Sequence, residues 1–93
     1  MKRTQFTQPW LDALRSGKYK QARGTLHGYE GFHKSYCCLA VGLHVLGSED
    51  WDVLESDLGL SRDEKCRLIE MNDHEEKTFP EIADEIEKML EPA

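Results

Sequence analysis

Two adjacent thiols, Cys37 and Cys38, are the residues of this chain best suited by type to covalent chemistry. They lie at the start of the apolar run Tyr36-Cys37-Cys38-Leu39-Ala40-Val41-Gly42-Leu43-His44-Val45-Leu46-Gly47. With Ser35 as N-cap they fall at the second and third positions of a helix. Unpaired N–H groups and the helix dipole there stabilise a thiolate, the reactive form of cysteine. A thiol nucleophile also needs a base within about 3 Å. His44 shares a helix face with Cys37 but lies about 10 Å along it, at about 1.5 Å rise per residue. His27, His33 and His74 reach the thiols only through tertiary structure. The competing reading makes both cysteines small buried hydrophobes, the commoner role of a free thiol, and the sequence favours it. No catalytic residue is assigned, which weighs against an enzyme without deciding the point.

The same residues supply no metal signature. Four histidines and three cysteines, the third being Cys66, contain no Cys-x-x-Cys, His-x-x-x-His or Cys-x-x-His pair. Helical ligands come three or four residues apart, so no metal site is predicted. Only chain proximity would bring His27 and His33 to Cys37 and Cys38. The acidic stretch Asn72–Glu76 lacks the spaced oxygens of a calcium loop. Gly24, Gly28 and Gly31 lack the Lys-Ser/Thr ending of a phosphate loop, and no nucleophile elbow is present. No cofactor is predicted.

A binding chemistry is better represented. Lys18, Lys20, Arg23 and Lys34 interleave with Tyr19, Tyr29 and Phe32, a mixture suited to phosphate contacts and base stacking. The plainer account packs the rings on the core and leaves the cations in water. A helix-turn-helix over residues 61–90 is excluded by charge. Residues 79–91 carry Glu81, Asp84, Glu85, Glu87 and Glu91 against Lys88 alone, and phosphates would repel such a recognition helix.

The elements that must position these residues follow from periodicity and punctuation. Thr7 as N-cap, Pro9 in the first turn and Gly17 at the end predict a helix over 7–16, with Trp10, Leu11 and Leu14 as its buried stripe. Phe6 and Leu11 have the spacing of a hydrophobic staple. Glycines break residues 18–35, and about 25–35 read as a β-hairpin turning at Glu30-Gly31, with an irregular loop as the alternative. Residues 36–47 form the central helix, apolar all round and therefore interior. A short helix starting at Ser48 or Asp50 carries Trp51, Leu54 and Leu58 and closes at Gly59. Ser61-Arg62-Asp63-Glu64 and Thr78-Phe79-Pro80-Glu81 have capping-box spacing and open two more helices. The first runs to about Met71, followed by a polar connection to Lys77. The second buries Phe79, Ile82, Ala83, Ile86, Met89 and Leu90.

Ninety-three residues, 39% apolar and 32% charged, suit one domain spanning 1–93. No stretch approaches the roughly 20 apolar residues of a bilayer span, and the polar N-terminal residues contain no signal-peptide core. Three unpaired-looking cysteines agree with a reducing, cytoplasmic setting. The net charge of −6 conceals a division. Residues 1–47 carry seven Lys/Arg against Asp12 and Glu30, a balance of +5, whereas residues 48–93 carry five against sixteen acids, a balance of −11. Either the halves neutralise each other at a seam, or one pole meets a charged partner.

Several segments carry a family resemblance. They are Trp10-Leu11-Asp12-Ala13-Leu14-Arg15-Ser16-Gly17 with Tyr19, Gln21, Gly24 and Leu26, then Tyr36-Cys37-Cys38-Leu39 with Val41. Met71-Asn72-Asp73, Phe79, Glu81-Ile82-Ala83 and Ile86-Glu87 complete the set. Over residues 10–87 the chain resembles a loose family of small uncharacterised bacteriophage and prophage proteins. Where that pattern has Cys-Cys-Leu-Gly-Val, this chain has Ala40 before Val41 and Gly42 after it, which implies altered helix packing. The resemblance implies a phage-type accessory protein and carries over no reaction. It also marks Asn72 and Asp73 as a candidate surface site, against the plainer account of a left-handed helix cap and a turn residue.

Together these readings predict a mainly helical α+β fold: about five helices around the buried 36–47 helix, with one small hairpin. A protein partner engaged through the polar faces is the first functional expectation. RNA or single-stranded DNA binding through 18–34 is the second, and a thiol enzyme using Cys37 or Cys38 the third.

Overall fold

The computed structural model describes residues 1–22, 27–30 and 33–90, with 27–30 and 33–35 described by their backbone. Among them lie five helices: α1 (Thr7–Arg15), α2 (Cys38–Leu46), α3 (Val53–Ser56), α4 (Arg62–Asp73) and α5 (Phe79–Met89). Three short strands, β1 (Lys20–Gln21), β2 (His27–Glu30) and β3 (His33–Tyr36), form one sheet in the order β1-β3-β2. The architecture is the mainly helical α+β arrangement predicted from the sequence. None of the described helices is long and apolar enough to cross a membrane.

The hairpin is present but its register differs from expectation. Glu30 pairs with His33 and Tyr29 with Lys34, so the connection falls at positions 31–32 rather than at Glu30-Gly31. Positions 31 and 32 themselves lie outside the described residues. β1 is a strand the sequence did not announce. It runs parallel to β3, with Lys20 opposite Ser35 and Gln21 opposite Tyr36. Two residues are too few for periodicity to register.

The helix starts are set by local hydrogen bonding. Ser61 and Thr78 each cap through a reciprocal box with Glu64 and Glu81, as their spacing predicts. α1 begins differently. Phe6 occupies the N-cap position without a side-chain bond, and Thr7 is already helical and buried. The Thr7 hydroxyl accepts instead from the Thr4 amide at 2.8 Å, closing a tight turn that consumes its capping capacity. This turn also displaces Phe6 from the expected staple position.

α2 forms the floor of the core. Its residues Cys38 through Leu43 are all buried, because apolar side chains on every face can only be shielded from water by neighbours all round. α1 and α4 pack against it, and α1 also packs on α5. Trp10 of α1 is fully buried and donates its indole N–H to the Cys38 carbonyl at 3.0 Å. Gly42 permits this approach: a methyl group there would lie 2.9 Å from Leu58 Cδ1 and 3.3 Å from Trp10 Nε1. Gly47 ends the helix in the left-handed region (φ 68°), with the Ser48 amide returning to the Leu43 carbonyl. The last turn reaches the surface, where His44 is exposed.

The two charge regimes meet where α1 packs on α5. Arg15 Nη1 lies 2.7 Å from Glu87 Oε1, and Nη2 lies 2.7 Å from Asp84 Oδ1. One guanidinium thus bridges the basic and acidic halves. Its fork geometry suits two carboxylate partners. Glu87, held by that guanidinium, has its carboxyl below the ordinary range.

Candidate functional site

Cys37, not Ser35, is the N-cap of α2; Ser35 belongs to β3. The Cys37 sulfur accepts from the Ala40 amide at 3.4 Å, the role a serine oxygen plays elsewhere. Cys38 is therefore the first helical residue, and its thiol donates to the Leu68 carbonyl at 3.6 Å. Both side chains are buried. Burial pushes the Cys37 thiol up despite its backbone contacts, and pushes Cys38 well up. This is the reverse of thiolate activation, because the desolvation opposing charge outweighs the helix terminus favouring it. Cys66 is exposed. No group of three metal-ligating side chains converges among the described residues.

Of the histidines, His44 is engaged elsewhere and His74 is exposed just past α4. The side chains of His27 and His33 lie outside the described residues. His44 Nδ1 sits 2.6 Å from the Tyr19 hydroxyl. Partial burial, with Tyr36 alongside, pushes the Tyr19 phenol up. The phenol therefore keeps its proton, and it can donate to Nδ1 or accept from it according to the imidazole tautomer. Three rings meet here. Tyr19 and Tyr36 are edge-on with centroids 5.2 Å apart, Tyr19 and His44 are 5.4 Å apart, and Tyr36 and His44 are 5.9 Å apart.

Beside Tyr19 is a surface cleft of about 260 Å³ lined by Pro9, Asp12, Ala13, Ser16, Lys18 and Tyr19. Lys18 and Lys20 are exposed and Tyr19 is half-buried. Thus Lys18, Tyr19 and Lys20 do share one surface, whereas the side chains of Arg23, Tyr29, Phe32 and Lys34 lie outside the described residues. Tyr36 and His44 are ring partners that sequence reasoning missed. The apolar run places Tyr36 at the start of the buried helix, whereas it ends β3. The left-handed cap at Gly47 was the available signal that the last turn, with His44, faces outward.

Asn72 and Asp73 require a correction. They lie inside α4, which continues two residues beyond the expected end at Met71. Asn72 is completely buried, so it is neither a surface residue nor a left-handed cap; the positive φ falls at Glu76. Its amide nitrogen donates to the Ala22 carbonyl (2.7 Å) and to Asp73 Oδ1 (2.7 Å), and its oxygen accepts from Gln21 Nε2 (2.8 Å). Gln21 also donates to the Lys77 carbonyl at 2.7 Å. Ala22 in turn donates its N–H to the Tyr36 carbonyl at 2.6 Å. Asn72 thereby holds Ala22, the residue after β1, and through the Gln21 side chain the strand is tied to α4 and to the connection that follows it.

The acidic half concentrates its charge between α2 and Gly59. Glu49, Asp50, Asp52, Glu55 and Asp57 occur there with no Lys or Arg. Glu55 pairs with Lys65 at 2.9 Å, and the Lys65 ammonium lies 5.8 Å from the Trp51 ring centroid. Glu49, Asp50 and Asp52 are exposed and form no ion pair among the described residues. Trp51 and Val53, both half-buried, alternate with these acids.

A family model described as "Domain of unknown function (DUF8296)" matches residues 1–54, from α1 through the sheet and α2 to the start of α3. No curated protein and no solved structure matches the chain.

Proposed function

We propose that this chain, which belongs to the family of that domain of unknown function (DUF8296), is a non-enzymatic accessory protein that binds a basic protein partner. The phage and prophage setting in which we place it rests on the resemblance of its Leu-Arg-Ser-Gly, Cys-Cys-Leu and Asn-Asp segments alone.

One observation carries the reading: the uncompensated acids Glu49, Asp50 and Asp52 around the half-buried Trp51. Exposed like charges repel one another and are costly to gather, and a basic partner removes that cost. Trp51 and Val53 add apolar area that water exclusion can exploit, and tryptophan is a residue type on which binding energy concentrates. Charge complementarity also sets the expected kinetics, with association fast at low salt and slowed by added salt.

The test compares wild-type protein with a Glu49→Gln, Asp50→Asn, Asp52→Asn triple variant as bait in a native-host lysate. Proteins held by wild type and lost by the variant should be basic, and added salt should release them. An identical captured set from both baits refutes the reading.

A further inference from the structure

We propose that the cleft beside Tyr19 is a nucleobase pocket for single-stranded nucleic acid, a second binding function at the pole opposite in charge to the acidic segment. Four features of the site point the same way. Tyr19 lines the cleft, and the rings of Tyr36 and His44 lie within 6 Å of its own. A base has a π-face whatever its sequence, so a buttressed ring at a cleft mouth is a stacking platform.

The rest of the lining comes from one face of α1 and its C-cap, Pro9 through Ser16. Pro9 and Ala13 supply apolar contact, while Asp12 and Ser16 supply polar edges. Asp12 is exposed, and one of its oxygens accepts a single bond from Gln8 at 2.9 Å; a carboxylate offers about four acceptor positions, so both oxygens keep capacity for a ligand. Ser16 is occupied locally, donating to the Ala13 carbonyl and accepting from the Lys18 amide. A carboxylate beside the carbonyl end of a helix repels an anion and attracts N–H donors. The phosphate therefore cannot be the inserted part. The base enters, and Lys18, exposed at the rim, takes the phosphate.

Polarity also selects the base. Asp12 is an acceptor only, so it pairs with the adjacent N1–H and N2–H₂ donors of guanine, and less completely with the single amino groups of cytosine and adenine. Uracil and thymine present one imino donor flanked by acceptors and are the poorest fit. The surrounding chain supports a polyanion, since residues 18–36 hold Lys18, Lys20, Arg23 and Lys34 against Glu30 alone.

The experiment is fluorescence anisotropy with labelled heptamers at low and moderate salt: all-uridine, uridine with one central guanosine, and the DNA counterparts. The guanosine heptamer should bind about fivefold or more tighter than the all-uridine one. Tyr19→Ala should weaken binding about tenfold, whereas Tyr19→Phe, which keeps the ring and loses the His44 bond, should bind like wild type. Lys18→Gln should reduce the slope of log affinity against log salt by about 0.7, the value of one single-strand phosphate contact. Asp12→Asn should erase the guanosine preference. The Glu49/Asp50/Asp52 triple variant should bind RNA at least as well as wild type, so failure here and failure of the protein-partner reading are separately visible. The comparison of RNA with DNA reports which sugar the rim tolerates. Absence of salt-sensitive heptamer binding at low salt, or a folded Lys18→Gln variant with unchanged salt slope together with a folded Asp12→Asn variant that keeps the guanosine preference, overturns the proposal.

Discussion

Replacing Asn72 by alanine tests whether one buried amide holds the segment after β1 to α4. The side chain makes three hydrogen bonds, two of them across 50 and 51 residues to Ala22 and Gln21. Each is worth about 0.5–1.5 kcal/mol net, and a buried acceptor deprived of its donor costs about 1–3 kcal/mol more. Ala22, only 7% exposed, carries that acceptor. Gln21 retains its bond to Lys77 and Asp73 is half-exposed, so they add little. The expected loss is about 3 kcal/mol from a total of about 5–15 kcal/mol for a domain. Urea unfolding followed by tryptophan fluorescence should show the midpoint falling by about 1–3 M with an unchanged slope. Asn72→Asp gives a second, signed readout. Its carboxylate would face the Ala22 carbonyl and Asp73 instead of donating to them, so the folded state holds its proton more tightly than the unfolded chain. The folded state then binds more protons across that interval, and the variant should gain stability as pH falls from 7 towards 4. A loss below about 1 kcal/mol for Asn72→Ala, with no such gain for Asn72→Asp, would refute the view that this amide ties the end of β1 to α4.

The other expectations concern the core. Gly42→Ala gains about 1 kcal/mol of helix propensity, but overpacking against Leu58 and Trp10 costs about 1–3 kcal/mol; a lower melting temperature is expected, and a higher one would show that Leu58 yields. Native protein treated with a thiol reagent at neutral pH should lose one free thiol quickly, from Cys66, and two more only on unfolding; three fast equivalents would show that Cys37 and Cys38 are accessible. Burial raises both of those thiols, so the unfolded chain releases protons that the fold retains, and stability should fall as pH rises past about 8.5. Cys38→Ala should flatten that alkaline decline.

Patterns that span several turns were readable in the sequence, and arrangements made by one or two residues were not. The capping boxes at Ser61 and Thr78, the stripe of α5 and the apolar α2 each repeat a signal that local physics enforces. The buried role of Asn72 depends on Ala22 being brought beside it, which no spacing near residue 72 encodes. Thr7 has the right chemistry for a cap, yet a turn with Thr4 claims its hydroxyl first. At Cys37 a sulfur does the capping, a choice that composition rules favouring oxygen do not anticipate. The Tyr19 part of the candidate site was visible through its neighbouring lysines, while Tyr36 and His44 join it only because β3 ends where α2 begins.

The strand order has a consequence for how the molecule assembles. β3 is central, so the two-residue β1 has nothing to dock on until the β2–β3 hairpin exists. The hairpin closes a short loop, which is entropically cheap, whereas bringing α4 back to Ala22 closes one of 50 residues. On loop-closure grounds, edge docking and the Asn72 lock are expected to form late, after the rate-limiting barrier. Weakening them should hasten unfolding while leaving the refolding rate nearly untouched, so that this edge governs how long the native state lasts rather than how quickly it is reached.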